Sequence, residues 1–432
     1  MSILLGCIAD DFTGASDLAG LLARSGSAVN LRLGTPPETD GRDADDGTVA
    51  PFEVIALKCR TAPVDGAVAS VVAAWDWLAA RGAARCYWKY CSTFDSTPEG
   101  NIGPVADALL DRLAPSPRLA VHAPSFPENG RTVYRGRLFV GDLPLDESPM
   151  KDHPLTPMRD SDLARLLAPQ VRGPVEKLTL PTVRAGREAI AARAAEVAAA
   201  GAAHLVADAI EDVDLVELVR GTETLALLCG GSAFASHVPA LCRVRGLLPP
   251  DAPRAVRPKG SGPALVLSGS CSAATREQIE AWPADWPSLK LDEAAAGDPA
   301  RAREWLAGAL GDDVPTLVYS SADPAEVSAV QDRLGRERAG ELFESALGAL
   351  AVEAVGLGAG RIVVAGGESS GAVARALGIE RLGVGPEIAP GVPWCAAEIG
   401  GREVAVAMKS GNFGGPRFFA DAFDRLAAPA PD

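Results

Sequence analysis

Ile8-Ala9-Asp10-Asp11-Phe12-Thr13-Gly14-Ala15-Ser16-Asp17 is the stretch on which the reading of the fold turns. It follows the apolar run Ile3-Leu4-Leu5, which predicts a buried strand. It precedes Leu18, Leu21 and Leu22, spaced for one face of a helix. The segment therefore predicts a strand, a tight polar turn and a helix start. Asp10, Asp11 and Asp17 crowd that turn, with Thr13, Gly14 and Ser16 among them. Thr13 or Ser16 could cap the helix, and Gly14 leaves room for a ligand to approach the backbone. Helix capping alone explains one such side chain but not three carboxylates. Turns from strand to helix at a carboxyl edge are where open α/β sheets bind ligands.

A chain of 432 residues is too long for one ordinary core, so two domains are expected. Hydrophobic residues make up 47%, enough to bury both. The formal charge of −15 argues against a general binder of nucleic acid or membrane surfaces. It leaves an anionic small molecule possible, because local cations and backbone N–H groups decide that. No basic region leads into an apolar N-terminal stretch, and no apolar run approaches twenty residues, so neither a signal peptide nor a spanning helix is expected. The eight cysteines form no CxxC pair, and His122, His153, His204 and His237 have no metal-ligand spacing. A cytoplasmic protein with reduced thiols is the natural expectation.

Outward from the opening turn, short apolar runs alternate with Ala-rich helical stretches. Strands are predicted at 29–33, 54–57, 85–89, 119–122, 203–207 and 224–229, and helices at 64–80 and 105–113. Residues 40–47 are acidic and read as a solvated loop, and 124–157 as a long irregular one, which in a compact domain is often functional. The Pro- and Gly-rich stretch 247–262 is the best linker, dividing a domain at 1–246 from one at 263–432. Beyond it the alternation restarts, with strands at 264–267, 317–319, 361–364 and 404–408 and a long helix at 337–357. The fold class is α/β, each domain a largely parallel sheet flanked by helices.

Four further clusters leave predicted strands or loops. Lys89-Tyr90-Cys91-Ser92-Thr93-Phe94-Asp95 combines a cation, a carboxylate and hydroxyls, suited to orienting a polyol acid, though a turn with a helix cap reads the same way. Residues 124–136 carry Asn129, Arg131, Tyr134 and Arg135, whose arginines suit a carboxylate or phosphate, or simply solvent. His153 in the same loop reads as a structural hydrogen-bonder. Gly366-Gly367-Glu368-Ser369 turns from strand to helix, presenting N–H groups to an anion. It is neither GxxxxGK[ST] nor a dinucleotide fingerprint. Lys409-Ser410-Gly411-Asn412 and Ser268-Gly269-Ser270-Cys271-Ser272 are turns of similar shape. Three such turns in one domain point to a nucleotide.

Together IADDFTGASD, GGESSG, GPEIAPGVPW and KSGNFGG resemble the four-carbon acid sugar kinase family over nearly the whole chain. KYCSTFDSTPEGNIGP, NGRTVYRGRLFV and HPLTPM resemble its 3-oxo-tetronate kinase branch. The resemblance implies an N-terminal acid-sugar-binding domain, a C-terminal ATP-binding domain and an active site in the cleft between them. It implies phosphoryl transfer from ATP to the 4-hydroxyl of 3-oxo-tetronate, with Mg²⁺ as counter-charge. The sugar acid would contact Asp10, Asp11, Thr13, Lys89, Ser92, Asp95, Asn129 and Arg131. ATP would contact Ser268, Ser270, Gly366, Gly367, Glu368, Ser369 and Gly411. Ser369 stands where the family pattern has Thr, and the hydroxyl is kept. Asp11 or Asp17 would accept the substrate proton or hold the metal, with Asp95 next; the metal ligands stay open. A kinase for D-threonate or D-erythronate, a non-catalytic sugar-acid sensor and a nicotinamide-dependent dehydrogenase are the rivals, the last lacking its glycine fingerprint. A homodimer is a mild expectation.

Overall fold

The structure, a computed structural model, describes residues 2–36, 49–153 and 155–427; the acidic stretch at 40–47 lies outside the described residues. The chain divides into two compact units, Met1–Arg254 and Ala255–Asp432.

The first unit is built on eight parallel strands. In chain order they are β1 (Leu5–Ala9), β2 (Val29–Leu33), β3 (Phe52–Ala56), β4 (Cys86–Lys89), β5 (Ala120–Ala123), then, after the insertion described below, β9 (Val175–Leu178), β10 (His204–Ala207) and β11 (Leu227–Gly230). Their spatial order is β2-β3-β1-β4-β11-β5-β10-β9. Every residue of β1 is buried, as expected of a strand covered on both faces. On one side lie α2 (Val64–Ala80) and α3 (Ile102–Leu113), whose Val71, Trp75, Leu78 and Leu109 join Ile8, Ile55 and Trp88 in one core. Burying each such side chain contributes about 1.5–3 kcal/mol. α1 (Phe12–Ala23) packs against β1, β2 and β3. After β1 the chain builds β3 and β2 on one side, and after β4 it builds the other. The order therefore reverses between β1 and β4, and the carboxyl ends of both strands open at that point.

Two local expectations are corrected here. The strand is Leu5–Ala9 rather than the apolar run 3–5, because pairing with β3 and β4 continues through Ala9. The helix cap is Asp11, not Thr13 or Ser16: its extended backbone (φ −144°) lets its carboxylate accept from the Gly14 N–H at 3.1 Å. The irregular loop at 124–157 is also better organised than its composition suggests. It folds into β6 (Arg131–Tyr134), β7 (Arg137–Val140) and β8 (Leu143–Pro144), an antiparallel sheet. Asp208, just past β10, holds the turn between β6 and β7 by accepting from the N–H groups of Arg135 and Gly136 (2.7 Å each), and also from Leu180 (2.9 Å).

The second unit has the parallel strands β12 (Ala264–Ser268), β13 (Ser288–Lys290), β14 (Thr316–Tyr319) and β15 (Arg361–Ala365). The long hairpin of β16 (Arg381–Ala389) and β17 (Val392–Ile399) follows, then β18 (Arg402–Lys409). The order within the unit runs β13-β14-β12-β15-β18-β17-β16, parallel as far as β18 and antiparallel after it. The sequence GPEIAPGVPW makes this hairpin, which the alternation pattern did not predict. Here too the order reverses, between β12 and β15.

Candidate active site

At the first reversal point the strand ends bring five charged side chains together. Asp10 follows β1 and is 4% exposed. Arg60, beyond β3, grips it through two hydrogen bonds of 2.8 and 2.9 Å and also donates to Asp11 Oδ1 at 2.7 Å. Lys89, the last residue of β4, lies 3.7 Å from the same Asp11 oxygen, and Asp95 Oδ2 lies 3.9 Å from Arg60. A Cβ on Gly14 would stand 1.8 Å from the Lys89 ammonium, so only glycine leaves that cation its place. The turn bearing Asp95 is strained: Phe94 and Asp95 have φ of 68° and 36°. Each such residue costs about 1–3 kcal/mol. The Thr93 hydroxyl bond to Asp95 (2.8 Å) and the edge-on packing of Phe94 against Tyr90 (5.6 Å between centroids) hold it.

The two neighbouring carboxyls diverge. Burial pushes Asp10 up, and Arg60 only partly offsets it. Burial pushes Asp11 up as well, yet Lys89 and Arg60 outweigh it and hold Asp11 below the usual carboxylate range. Burial works against the charge on Arg60, but Asp10 and Asp11 keep it firmly protonated. Asp11 Oδ1 takes all of the contacts to Gly14, Arg60 and Lys89. The result is an ionised carboxylate fixed by one oxygen, with its side chain still 30% exposed.

The other expected contacts lie on separate segments of the first unit. Thr13 is in the first turn of α1 and Asp17 one turn further, partly exposed. Ser92 sits beside Gly231, at the end of β11. Asn129 and Arg131 meet each other at the start of β6, where Arg131 donates to the Asn129 carbonyl. Among the described residues the Arg131 Nε is buried without a hydrogen-bond partner. His153 accepts from the Thr156 N–H at 3.1 Å, which is a structural role.

At the second reversal point three turns interlock. The N–H groups of Gly269 and Ser270, after β12, donate to Ala365 O at the end of β15 (3.1 and 3.2 Å). Gly366 N–H donates to Lys409 O at the end of β18 (2.9 Å). Gly366 has φ +118°, which only glycine adopts without strain, and it opens helix Gly367–Ala376 without a side-chain cap. The first N–H groups of that helix have no intrahelical partner, and the helix dipole favours an anion there. A Cβ on Gly411 would lie 2.1 Å from Ser270 Oγ, so the SGS and SGN turns touch. Ser268 differs from the rest: it is fully buried, its hydroxyl meets Ser321 at 2.9 Å and its carbonyl accepts from the Ser320 N–H at 2.8 Å, so both groups are engaged within the sheet. A cavity of about 670 Å³ opens at these turns, with Gly269, Glu368 and Ser369 in its lining beside Leu291, Val327 and Phe343. Polar turns beside an apolar hollow suit a nucleotide, phosphates on the first and base in the second.

A family model for a sugar-binding N-terminal domain matches residues 5–238, and one for a nucleotide-binding C-terminal domain matches residues 265–419. A Cupriavidus necator protein named 3-oxo-tetronate kinase is 46% identical over 425 residues, covering 98% of this chain and 97% of that protein. A Burkholderia multivorans protein of the same name is 46% identical over 429 residues, covering 99% and 98%. The chain belongs to the four-carbon acid sugar kinase family. A Haemophilus influenzae protein solved by crystallography is 36% identical with a TM-score of 0.82, over 98% of this chain and 100% of its own. Among the described residues, no helix is long and apolar enough to cross a membrane.

Within this acid sugar kinase frame, sequence reasoning missed Arg60. Its signal was a cation just beyond a predicted strand that lies next to the acidic turn. Asn101, in the KYCSTFDSTPEGNIGP stretch, donates its amide to the carbonyls of Cys59, Arg60 and Ala62 (2.7, 3.2 and 2.9 Å) and so fixes the segment that carries Arg60.

Proposed function

We propose that this chain is an ATP-dependent kinase that phosphorylates the 4-hydroxyl of 3-oxo-tetronate. The observation that carries the reading is the near full-length identity to relatives of that name. The two reversal points supply the chemistry, one lined by carboxylates and cations and the other by glycine turns.

The first cluster sets Asp10, Asp11 and Asp95 against Arg60 and Lys89, one carboxylate in excess. That balance suits hydroxyl recognition and proton acceptance better than anion capture. The substrate's own carboxylate is assigned to Arg131, whose buried Nε–H has no hydrogen-bond partner among the described residues. Thr13, Ser92 and Asn129 are donors for its oxygens. Asp11 is the base for the 4-hydroxyl, with Asp17 and Asp95 as the other candidates. Lys89 and Arg60 keep it ionised, and its side chain stays 30% exposed.

Phosphoryl transfer needs alignment and charge neutralisation more than covalent help. The N–H groups of residues 367–369 and the Ser270 hydroxyl hold the phosphates, and the apolar hollow takes the base. Glu368 and Ser369 at the helix start are hard oxygen donors, which fits magnesium. When bound it neutralises the β and γ oxygens of ATP. The acid's hydroxyl and the γ-phosphate must then meet in line.

An ADP-release assay with ATP, Mg²⁺ and each of 3-oxo-tetronate, D-threonate and D-erythronate tests this. Release with the 3-oxo acid supports it. Release only with threonate or erythronate overturns the substrate and keeps the kinase. No release with any acid that nonetheless binds favours a sensor.

A further inference from the structure

Among the described residues, one cation at the second reversal point is buried without a counter-charge. Lys409 ends β18 and is 2% exposed. Its ammonium donates to Gly411 O at 3.1 Å and to Thr275 Oγ1 at 3.3 Å. Thr275 in turn donates to Gly411 O at 2.8 Å, so the lysine sits directly behind the SGN turn. The rings of Phe418 and Phe419 cover it at 5.8 and 5.5 Å. The carboxylates on the elements packed around it are Glu277, Glu280, Glu368, Glu398, Asp421 and Asp424. Among the described residues, none of them forms an ion pair with it, and Asp421 pairs instead with Arg417 (2.9 Å). The other cation facing this region, Arg276, donates to Cys271 O at 3.1 Å. An ammonium has three donors, and two are used among the described residues. A buried cation without an anion either loses its proton or is waiting for one.

We propose that Lys409 is the built-in counter-charge of the nucleotide's phosphates, completed only when ATP is bound. This rests on the nucleotide reading of the second unit. Burial alone brings the Lys409 pKa down to about 7. At pH 8 the free protein therefore carries mostly the neutral amine. Phosphate oxygens brought to the turns favour the ammonium, and the amine takes a proton from solvent: R–NH₂ + H⁺ gives R–NH₃⁺. The proton returns to solvent when the nucleotide leaves. The lysine thus couples nucleotide occupancy to pH, with affinity falling as pH rises above 7.

Titration calorimetry of ATP with Mg²⁺ into the full chain, in buffers of low and high ionisation heat, reads this directly. At pH 8 the phosphates of ATP are almost fully ionised, so they contribute little to proton exchange. The wild type is expected to take up roughly half to one proton per ATP at pH 8 and little at pH 6. Lys409→Arg keeps a permanent charge and should bind with no uptake. Lys409→Met should weaken ATP about ten- to a hundredfold. ATP binding by the wild type without uptake at pH 8, or uptake that survives in Lys409→Arg, overturns the inference and leaves the kinase reading standing. Absence of any ATP binding overturns both.

Discussion

Asp11 concentrates several demands on one side chain. It caps α1, pairs with two cations and is offered as the proton acceptor. Asn caps a helix as well as Asp does, so Asp11→Asn separates these roles without sacrificing the fold. That variant is expected to lose about 10²–10⁴ in kcat with ATP binding unchanged, by steady-state kinetics and calorimetry. Near-normal kcat would move the base to Asp17 or Asp95. Arg60 sets the proton affinity of the pair. Both Asp10 and Asp11 are held down by it, so Arg60→Gln removes a lowering influence and raises both carboxyls. The acid limb of the pH–kcat profile should then move to higher pH. A limb that stays in place or moves down would show that neither carboxylate governs turnover.

The elements explain what pattern could and could not reveal. β1 and α1 announce themselves through apolar spacing, yet the strand end, and with it the cap, is decided by pairing with β3 and β4, which no local pattern encodes. Arg60 escaped for the same reason, because it enters the site only through the neighbourhood of β3 and β1. The three-stranded insertion of β6, β7 and β8 escaped because distant partners order it, among them the Asp208 carboxylate and the backbone of Ala209. Asp208 accepts from three backbone N–H groups, and Asp208→Ala would strand all three. A loss of about 3 kcal/mol or more is expected in urea unfolding of the full chain. A loss below about 1 kcal/mol would mean that the insertion orders itself. Gly14 makes the opposite kind of demand. Gly14→Ala displaces the ends of the Lys89 and Asp11 side chains rather than backbone, so folding should survive. The sugar acid KM should rise about tenfold with the ATP KM unchanged, since one charge-assisted contact is disturbed. Equal effects on both KM values would place Lys89 outside sugar-acid binding.

Across the whole molecule one topological rule appears twice. Each unit has a parallel sheet whose strand order reverses once, between β1 and β4 and again between β12 and β15. The chemistry-bearing turns leave those strands. The glycine turns were legible because glycine and serine after an apolar run have few other uses. The carboxylate cluster was legible in residue type but not in pairing. An overall charge of −15 shows that local cations, not bulk charge, must receive an anionic substrate. The central claim is transfer of the ATP γ-phosphoryl group to the 4-hydroxyl of 3-oxo-tetronate. The most direct test is phosphorus and carbon NMR of the product formed from ATP, Mg²⁺ and 3-oxo-tetronate. The account predicts a phosphate ester whose phosphorus couples to C4. Phosphate at C2, or ADP formed without any phosphorylated acid, would contradict it.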